Sequence, residues 1–368
     1  MKVVLLHTRL SGYLAACLRE LKRVAGAEFL ILAYPGADDA PFDFGVFGDL
    51  GEIRNRRELS DAEISDAVTT FRPDAVLTSG WADKGYMKVC RAMREQGVPV
   101  IAGCDTQWKG SLRQLVASWI APWHVQKAID VLWVTGERQA TLARALGYEG
   151  ARLWEGYYAC DWNKFASVRC SVLREEVTQE EGAAGMRNTP NPTSNIATAQ
   201  HFLYVGRYVD VKGIHVLVAA YREYRERVAE PWALKCAGAG PLRDDLLAAG
   251  AEDLGFVQPD ELPRVMQEAS AFVLPSRFEP WGVVVQEAAA SGLPMICSEA
   301  CGAGVHLLKS GFNGVCVPTG DADALADAMV KISEMDEAER TRWGEASFEL
   351  SKQYTPERWA ERLLREFE

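Results

Sequence analysis

Short apolar runs alternate with amphipathic stretches over most of this chain. In the first 165 residues the runs that are short enough to be buried strands lie at 2–6, 28–32, 44–47, 74–78, 99–102 and 130–134. Helical periodicity fills most of the gaps, at 13–24, 61–71 and 84–96. Strands that alternate with helices predict a parallel, doubly wound sheet.

Residues 166–200 interrupt this alternation. The stretch is rich in Gly, Pro, Asn, Thr and Ser and has no apolar period, which predicts a linker or mobile loop. Strands then resume at 201–205, 233–237, 253–256, 271–274, 294–297 and 314–317. The pattern predicts two Rossmann-like domains, 1–165 and 201–351, with ligands in a cleft beyond the carboxyl ends of the strands.

The last segment, 355–367, reads as one more helix. Pro356 suits its first turn and Glu357 suits the positive end of its dipole. Because the second sheet is already complete, we expect 352–368 to pack back onto the first domain.

Composition narrows the class of protein. The chain has 368 residues, of which 48% are hydrophobic and 25% charged, as in soluble globular proteins of two domains. It has no apolar run long enough to span a membrane, and its start reads as a first strand rather than a secretory signal. Nine scattered cysteines and five histidines without a close pair favour a reducing cytoplasm and no metal site.

Charge excludes one class of partner. The formal net charge of −11 argues against nucleic acid, whose phosphates require a basic surface. Basic and acidic side chains are equal in number over residues 1–165, so the whole excess of acid lies in the rest of the chain.

The first candidate site follows the strand at 201–205. The strand ends at Gly206, Arg207 and Lys212 follow, and Gly213 opens a helix. Two cations beside a helix N-terminus suit a diphosphate. Solvated cations on a surface loop are an equally good interpretation of these residues taken alone.

The second candidate site is the sequence SRFEPWGVVVQEA, residues 276–288. Glu279 is expected in the loop after a strand, and Pro280 would begin a helix that carries Glu287 two turns further on. Free backbone donors would lie at the helix start, at Trp281, Gly282 and Val283. A carboxylate is a good acceptor for sugar or ribose hydroxyls. The alternative is that Glu279 caps the helix and Glu287 lies on the surface.

Several loops match one family together. In order they read Gly-Arg-x4-Lys-Gly (206–213), Gly-Ala-Gly-Pro (238–241), Gly-Phe-Val (255–257), Leu-Pro-Ser-Arg-Phe-Glu (274–279), Glu-Ala (287–288), Gly-Leu-Pro (292–294) and Gly-Phe-Asn-Gly (311–314). This series closely resembles the C-terminal domain of family-4 retaining glycosyltransferases of the GT-B fold. The resemblance is specific from about 202 to 330, and over 1–165 it concerns layout more than motif.

The resemblance implies roles for these residues. Arg207 and Lys212 would hold the diphosphate of a nucleotide sugar and stabilise the leaving charge without a metal or other cofactor. Glu279 would accept from hydroxyls of the donor sugar, and Glu287 would take the ribose diol. The rest of the donor site would comprise Gly12 from the first βα loop and, from the second domain, Gly206, Gly238, Gly240, Phe256, Val257, Pro280, Trp281, Gly282 and Val283.

The first domain departs from the family pattern. Many relatives carry a His-Asp pair after the strand ending near 102, whereas this chain reads Gly103-Cys104-Asp105. Asp105 is predicted to contact the donor sugar or the acceptor, and Cys104 to be a packing thiol, which argues against a histidine-assisted mechanism. Tyr157 and Tyr158 either line the acceptor side or pack at the hinge, and His7 reads as a core or rim histidine.

One segment is unusual in its charge. Residues 106–129 contain three tryptophans and three basic side chains but no acidic one. Such a helix pair could lie on anionic lipid with its tryptophans at the interface. We favour the alternative, in which the apolar side packs into the domain core.

Together these features predict a cytoplasmic, metal-independent retaining glycosyltransferase, with a peripheral location at the inner face of a membrane as the alternative. It would move a sugar from a nucleoside-diphosphate sugar to a hydroxyl of a saccharide or lipid-linked saccharide, in polysaccharide or glycoconjugate synthesis. Front-face attack with the departing diphosphate as base is the expected course. The alternatives are a nucleotide-sugar epimerase of the same fold and a non-catalytic nucleotide-sugar-binding or membrane-surface protein.

Overall fold

The computed structural model describes residues 1–8, 10–35, 47–167 and 200–367. The chain divides into two compact units, Met1–Asp161 with Tyr354–Glu368, and Trp162–Gln353. The boundaries therefore lie a few residues from those expected at 165 and 352. Apart from its ends, the predicted linker at 166–200 lies outside the described residues.

The first unit is built on a parallel sheet of seven strands in the order β3-β2-β1-β4-β5-β6-β7. In chain order β1–β7 are Lys2–His7, Glu28–Ala33, Gly51–Asn55, Ala75–Thr78, Val100–Cys104, Val131–Val134 and Leu153–Glu155. Val4 in β1 is in register with Leu30 in β2 and Val76 in β4. Because helices cover both faces of such a sheet, its central strands are apolar at nearly every position.

The helices of the first unit pack against its sheet and form two hydrophobic core clusters with it. They are Gly12–Ala25, Asp61–Phe71, Lys84–Glu95, Leu112–Ile120, Glu137–Ala145 and Pro356–Leu364, with 3-10 turns at Arg56–Glu58, Ala121–Trp123 and Gly150–Arg152. Ser60 and Glu63 form a capping box at the start of the second helix, which explains why its predicted bounds were met. In the last helix, the Trp359 ring stacks on Trp133 with centroids 4.8 Å apart, and its Nε1 donates to the Tyr157 carbonyl at 3.0 Å. The C-terminal helix thus completes the core of the first unit, as predicted.

The third strand of this sheet, Gly51–Asn55, was not predicted from the sequence. The strand predicted at 44–47 lies outside the described residues except for Phe47. Phe47 is buried, whereas the strand Gly51–Asn55 has no buried residue. Gly51–Asn55 is an edge strand with the polar sequence GEIRN, so it has no clear apolar period by which it could be predicted.

The second unit has a parallel sheet of six strands in the order β10-β9-β8-β11-β12-β13. In chain order β8–β13 are His201–Val205, Ala233–Ala237, Glu252–Gly255, Ala271–Leu274, Met295–Ser298 and Gly314–Val317. Its helices are Ile214–Arg227, Arg243–Ala248, Leu262–Gln267, Val283–Ala290, Gly304–Leu307, Ala322–Ser333 and Glu337–Ser351, with a 3-10 turn at Asp210–Lys212. The prediction of two doubly wound, Rossmann-like domains is confirmed.

The preferred interpretation of 106–129 as core is wrong for its helix. No residue of Leu112–Ile120 is buried, and its large apolar side chains are exposed. The core receives Ala121, Val125, Ala128 and Ile129 from the stretch after the helix, and the partly buried Trp108 before the helix packs against it. Among the described residues no helix has the length and apolar character needed to cross a membrane.

Candidate functional site

The predicted donor residues of the second unit lie along one edge of its sheet. In a parallel sheet all carboxyl ends share an edge, and β10, β9, β8 and β11 are neighbours in that order. Phe256 follows β10, Gly238 follows β9, Gly206 and Arg207 follow β8, and Glu279 follows β11. Four loops that are far apart in sequence are thereby brought to one edge, where ligands bind in sheets of this type.

Glycine keeps two of these strand ends close together. The Gly238 amide donates to the Gly255 carbonyl at 2.8 Å, and the Gly206 amide donates to the Ala237 carbonyl at 2.9 Å. A Cβ atom on Gly238 would overlap the carbonyl oxygen of Gly206. A larger residue at 238 would push the two loops apart, so the glycine is required by the close approach of the backbones.

A buried tyrosine that the sequence analysis missed holds the loop after β8. The Tyr208 hydroxyl lies 2.8 Å from both the Asp253 carboxylate and the Cys236 carbonyl oxygen. Arg243 forms an ion pair with the same carboxylate. Because Tyr208 follows Arg207 directly, this network fixes the backbone from which the Arg207 side chain extends into solvent.

Lys212 and Glu279 form an ion pair at this edge. The Lys212 ammonium contacts Oε2 of Glu279 although the residues are 67 positions apart in the chain. The Lys212 side chain is 19% exposed and that of Glu279 is 9% exposed. The Ser276 hydroxyl lies 3.5 Å from the same carboxylate oxygen. Taking two charges out of water is costly, so such a pair adds little to stability by itself.

The backbone around the pair explains how it forms. Gly213 ends the 3-10 turn Asp210–Lys212 with φ of +76°, and a Cβ atom there would overlap the carbonyl oxygen of Pro275. The Arg277 amide donates to the Val211 carbonyl at 2.9 Å. The loop after β11 therefore packs directly on the turn that carries Lys212, which places the ammonium against Glu279.

The helix after Glu279 begins later than predicted. It spans Val283–Ala290, with Gly282 as N-cap residue at φ of +93°, so Pro280 and Trp281 precede it. Trp281 is buried, and its carbonyl accepts from the Ala303 amide at 2.8 Å. Glu287 is consequently one turn into the helix rather than two, and its side chain is half-buried instead of lying on the open surface.

The first unit has a cavity of its own at the carboxyl edge of its sheet. The cavity has a volume of about 300 Å³ and its polar lining includes His7, Ser11, Tyr13, Ser79, Asp105, Tyr157 and Tyr158. The Tyr158 hydroxyl donates to Asp105 Oδ2 at 3.2 Å, and the rings of Tyr13 and Tyr158 are 4.9 Å apart. Gly12, predicted to lie in a loop, is the first residue of the helix Gly12–Ala25, between two residues that line this cavity.

The structure shows the hydrogen bonding of Tyr157 and His7 in this cavity and the protonation of Cys104 beside it. The Tyr157 hydroxyl lies 3.3 Å from Nε2 of the buried His7, so both side chains are paired inside the cavity wall. Cys104 is buried in the core, and burial raises the pKa of its thiol to about 12. The thiol therefore stays protonated at neutral pH, as expected of a packing residue.

The first unit thus places Tyr157 and Tyr158 around a cavity, which favours the lining interpretation over hinge packing. The roles of the predicted site residues remain predictions, although Lys212 and Glu279 are now known to be in contact. Within the described part of the chain, no group of three or more His, Cys, Asp or Glu side chains could hold a metal ion.

Comparisons with known proteins agree with this geometry. Residues 188–350 match the family model described as glycosyl transferases group 1. An uncharacterized glycosyltransferase of Methanocaldococcus jannaschii is 35% identical over 132 residues, which are 34% of this chain and 33% of that protein. The chain thus spans about a third of that relative. A D-inositol 3-phosphate glycosyltransferase of Nocardioides sp. is 29% identical over 92% of this chain and 78% of its own length.

The fold is shared with solved structures. Anabaena HepE in complex with UDP superimposes with a TM-score of 0.73 at 17% identity, over 100% of this chain and 99% of that one. At this identity the likeness concerns the fold, which is GT-B. By the sequence match, the second unit of this chain is similar to the domain that the group 1 glycosyl transferase model describes, and by the structural match the chain shares the GT-B fold.

Proposed function

We propose that this protein is a metal-independent retaining glycosyltransferase of the family-4 type. It moves a sugar from a nucleoside-diphosphate sugar to a hydroxyl of a saccharide or a lipid-linked saccharide. The observation that carries the proposal is the Lys212–Glu279 pair, which is largely buried at the carboxyl edge of a sheet whose sequence matches group 1 glycosyl transferases.

The pair supplies the two kinds of contact that such a donor requires. A lysine ammonium is a compact point charge suited to phosphate, and a carboxylate accepts from sugar hydroxyls. In the absence of donor each group neutralises the other. When the diphosphate arrives it shares the ammonium, and the carboxylate turns to the hydroxyls of the sugar.

Arg207 extends the cationic side of this site. It is exposed on the loop after β8, in the same chain segment as Lys212. Two cations beside the diphosphate stabilise the charge that develops on it as the bond to the sugar breaks. This stabilisation takes the place of a metal ion.

The reaction balances without a protein nucleophile. The acceptor oxygen forms the new bond to the anomeric carbon on the face from which the diphosphate leaves, so the configuration is kept. The electron pair of the broken carbon–oxygen bond goes to the diphosphate, and the acceptor proton is transferred to a diphosphate oxygen. The protein's part is to orient both substrates and stabilise the leaving charge.

Among nucleotides of the sugar donor, UDP is the one to test first. HepE, which shares the fold, has been solved with UDP and with UDP-glucose. We therefore propose that a UDP-sugar is a candidate donor, with GDP- and ADP-sugars as the comparison. A nucleotide at about 100 times its Kd should raise the free energy of unfolding by about 2.7 kcal/mol.

The test combines binding with product analysis. The full-length protein is screened by thermal unfolding against the three nucleotide classes, and the donor that shifts Tm is incubated with saccharide acceptors. NMR of the product reads the anomeric configuration. Arg207→Ala should lose most of the nucleotide-dependent shift, whereas Arg222→Ala, an exposed arginine on the helix Ile214–Arg227, should keep it.

Each outcome separates the candidates. A glycoside with the donor's configuration supports the proposal, and an inverted product refutes retention. Isomerisation of the donor sugar without acceptor identifies the epimerase alternative. Nucleotide binding with no turnover on any acceptor favours a binding protein, and no shift with any nucleotide refutes the donor site.

A further inference from the structure

The helix Leu112–Ile120 is amphipathic, but it is turned the opposite way from a helix that packs on a core. Its apolar side chains Leu112, Leu115, Val116 and Trp119 follow the spacing i, i+3, i+4, i+7, which places them on one face. That face is turned to solvent: Leu112 is 81% exposed and Trp119 is 74% exposed. A stripe of this kind ordinarily packs into the core.

The polar face of the same helix is the one turned toward the protein. Gln114, Ala117 and Ser118 are half-buried. The Gln114 side chain donates from Nε2 to the Gln107 carbonyl at 2.7 Å and accepts from the Lys109 amide at 2.7 Å. These two bonds join the helix to the loop before it and hold the apolar face outward.

The apolar face continues beyond the end of the helix. Trp123, in the next turn, is 62% exposed, and its ring meets that of Trp119 edge-on with centroids 6.0 Å apart. Ala121 and Val125, on either side of Trp123, are buried in the core of the unit. The exposed aromatic pair is therefore anchored to a rigid base rather than carried on a loose loop.

The charge around this face selects its partner. Lys109, Arg113 and Lys127 are all exposed, and no acidic side chain lies between 106 and 129. The segment itself is consequently cationic, although the formal net charge of the whole chain is −11.

We propose that residues 109–127 form a docking surface for a bilayer rich in anionic lipid. The apolar face inserts among the acyl chains near the headgroups, Trp119 and Trp123 lie at the interface, and the three cations contact lipid phosphates. The proposal is independent of the proposed transferase activity, since it rests on the exposure and charge of this segment alone.

A second copy of the chain is a poorer occupant. The face is a strip roughly 18 Å long and 10 Å wide, which is about a quarter of the roughly 800 Å² per partner that a stable interface buries. A symmetric pair would also bring the same cations together across the interface, where they repel. Neither the small area nor the repulsion between cations is an obstacle to binding a lipid surface.

The position of the surface suits an acceptor held in a membrane. Asp105, which lines the cavity of the first unit, is seven residues before Leu112, and seven residues span at most about 25 Å. A bilayer under the helix would thus hold the headgroup of a lipid-linked acceptor within reach of that cavity. Only this refinement depends on the proposed function.

The test is co-sedimentation of the full-length protein with vesicles. We expect binding to vesicles containing about 30 mol % phosphatidylglycerol in phosphatidylcholine at about 0.1 M salt, and much less at about 1 M salt. Trp119→Ala/Trp123→Ala should weaken the partition at least about tenfold. Arg113→Ser/Lys127→Ser should weaken it by about fivefold for each charge removed.

Matched variants control for exposure and charge. Phe312→Ala removes an exposed aromatic ring of the second unit, and Arg222→Ser/Arg342→Ser removes two exposed cations there; both should bind vesicles as the native protein does. Thermal unfolding confirms that each variant folds.

The proposal is overturned if the native protein stays in the supernatant, or if the tryptophan variant binds as well as the controls. A dimer that the tryptophan variant abolishes, without vesicle binding, would assign the surface to a second copy instead.

Discussion

The two sheets present different chemistry at the same kind of edge. In the second unit the carboxyl edge carries a buried ion pair, Lys212 with Glu279, between loops packed closely through glycine. In the first unit the corresponding edge has a cavity lined by Tyr13, Tyr157 and Tyr158 around the exposed carboxylate of Asp105. One edge is charged and tightly packed, and the other is aromatic and rich in hydroxyl groups.

This difference matches two kinds of ligand. A nucleoside diphosphate has a fixed shape and charge, so close backbone approach and buried cations suit it. A neutral saccharide offers hydroxyl groups and apolar ring faces, for which tyrosine rings and hydroxyls are suitable partners. The difference between the two edges also agrees with the family match, which covers residues of the second unit and not the first.

The largest expected effect comes from the ion pair. Lys212→Met should lower kcat/KM by about 10²–10³-fold, because it removes a cation from the developing charge. It should also lower the free energy of unfolding by about 3 kcal/mol, because Glu279 is left buried without its partner. The double variant Lys212→Met/Glu279→Gln should regain most of that stability and none of the activity. The measurements are steady-state kinetics and urea unfolding.

The surface pair Lys352–Glu349 is the matched control. Lys352→Met should change activity and stability little, because an exposed ion pair contributes little. If the double variant of the buried pair recovered both stability and turnover, the pair would be structural. The contrast between the two edges would then lose its chemical basis.

A smaller and more selective effect is expected at Glu287. Glu287→Gln should raise the donor KM about 10–150-fold, from the loss of a charged hydrogen bond of about 1.5–3 kcal/mol, and should leave kcat nearly unchanged. A ribose contact is made equally in the ground and transition states, whereas the role proposed for Glu279 is against the reacting sugar, so Glu279→Gln should lower kcat instead. Donor-saturation curves with acceptor in excess measure both values.

Glu223→Gln removes a half-buried carboxylate from the helix Ile214–Arg227 and serves as the control, with no change expected in either constant. A reversed result, in which Glu287→Gln affects only kcat and Glu279→Gln only KM, would exchange the two assignments.

The smallest effect tests the first unit. Tyr158→Phe should raise the acceptor KM about fivefold, the value of one neutral hydrogen bond, and leave the donor KM unchanged. Tyr148→Phe, which removes a buried hydroxyl bonded to the Ile129 carbonyl outside the cavity, should leave the acceptor KM unchanged. A change in donor KM alone with Tyr158→Phe would show that the two edges do not divide the substrates between them.

The sequence by itself determined the strands of the second unit and most of those of the first. Buried parallel strands are apolar on both faces, so β8 and β11 were predicted with the bounds that the structure shows. The bounds of β9 and β13 were also met, although both strands are only partly buried. The glycines at 206, 213 and 238 were also identified from the sequence, and at 213 and 238 a close backbone approach leaves no room for another residue.

Only the tertiary structure decided which side chains meet and which face is exposed. Lys212 and Glu279 come into contact because β8 and β11 are adjacent in the sheet, a pairing that depends on long-range packing. Tyr208 was missed for the same reason, since its partners Cys236 and Asp253 lie on other strands.

The helix Leu112–Ile120 has the periodicity of a core helix, and periodicity shows that an apolar face exists without showing what covers it. Its outward orientation is set by the bonds of Gln114 and by the burial of the residues after it, which no local pattern encodes.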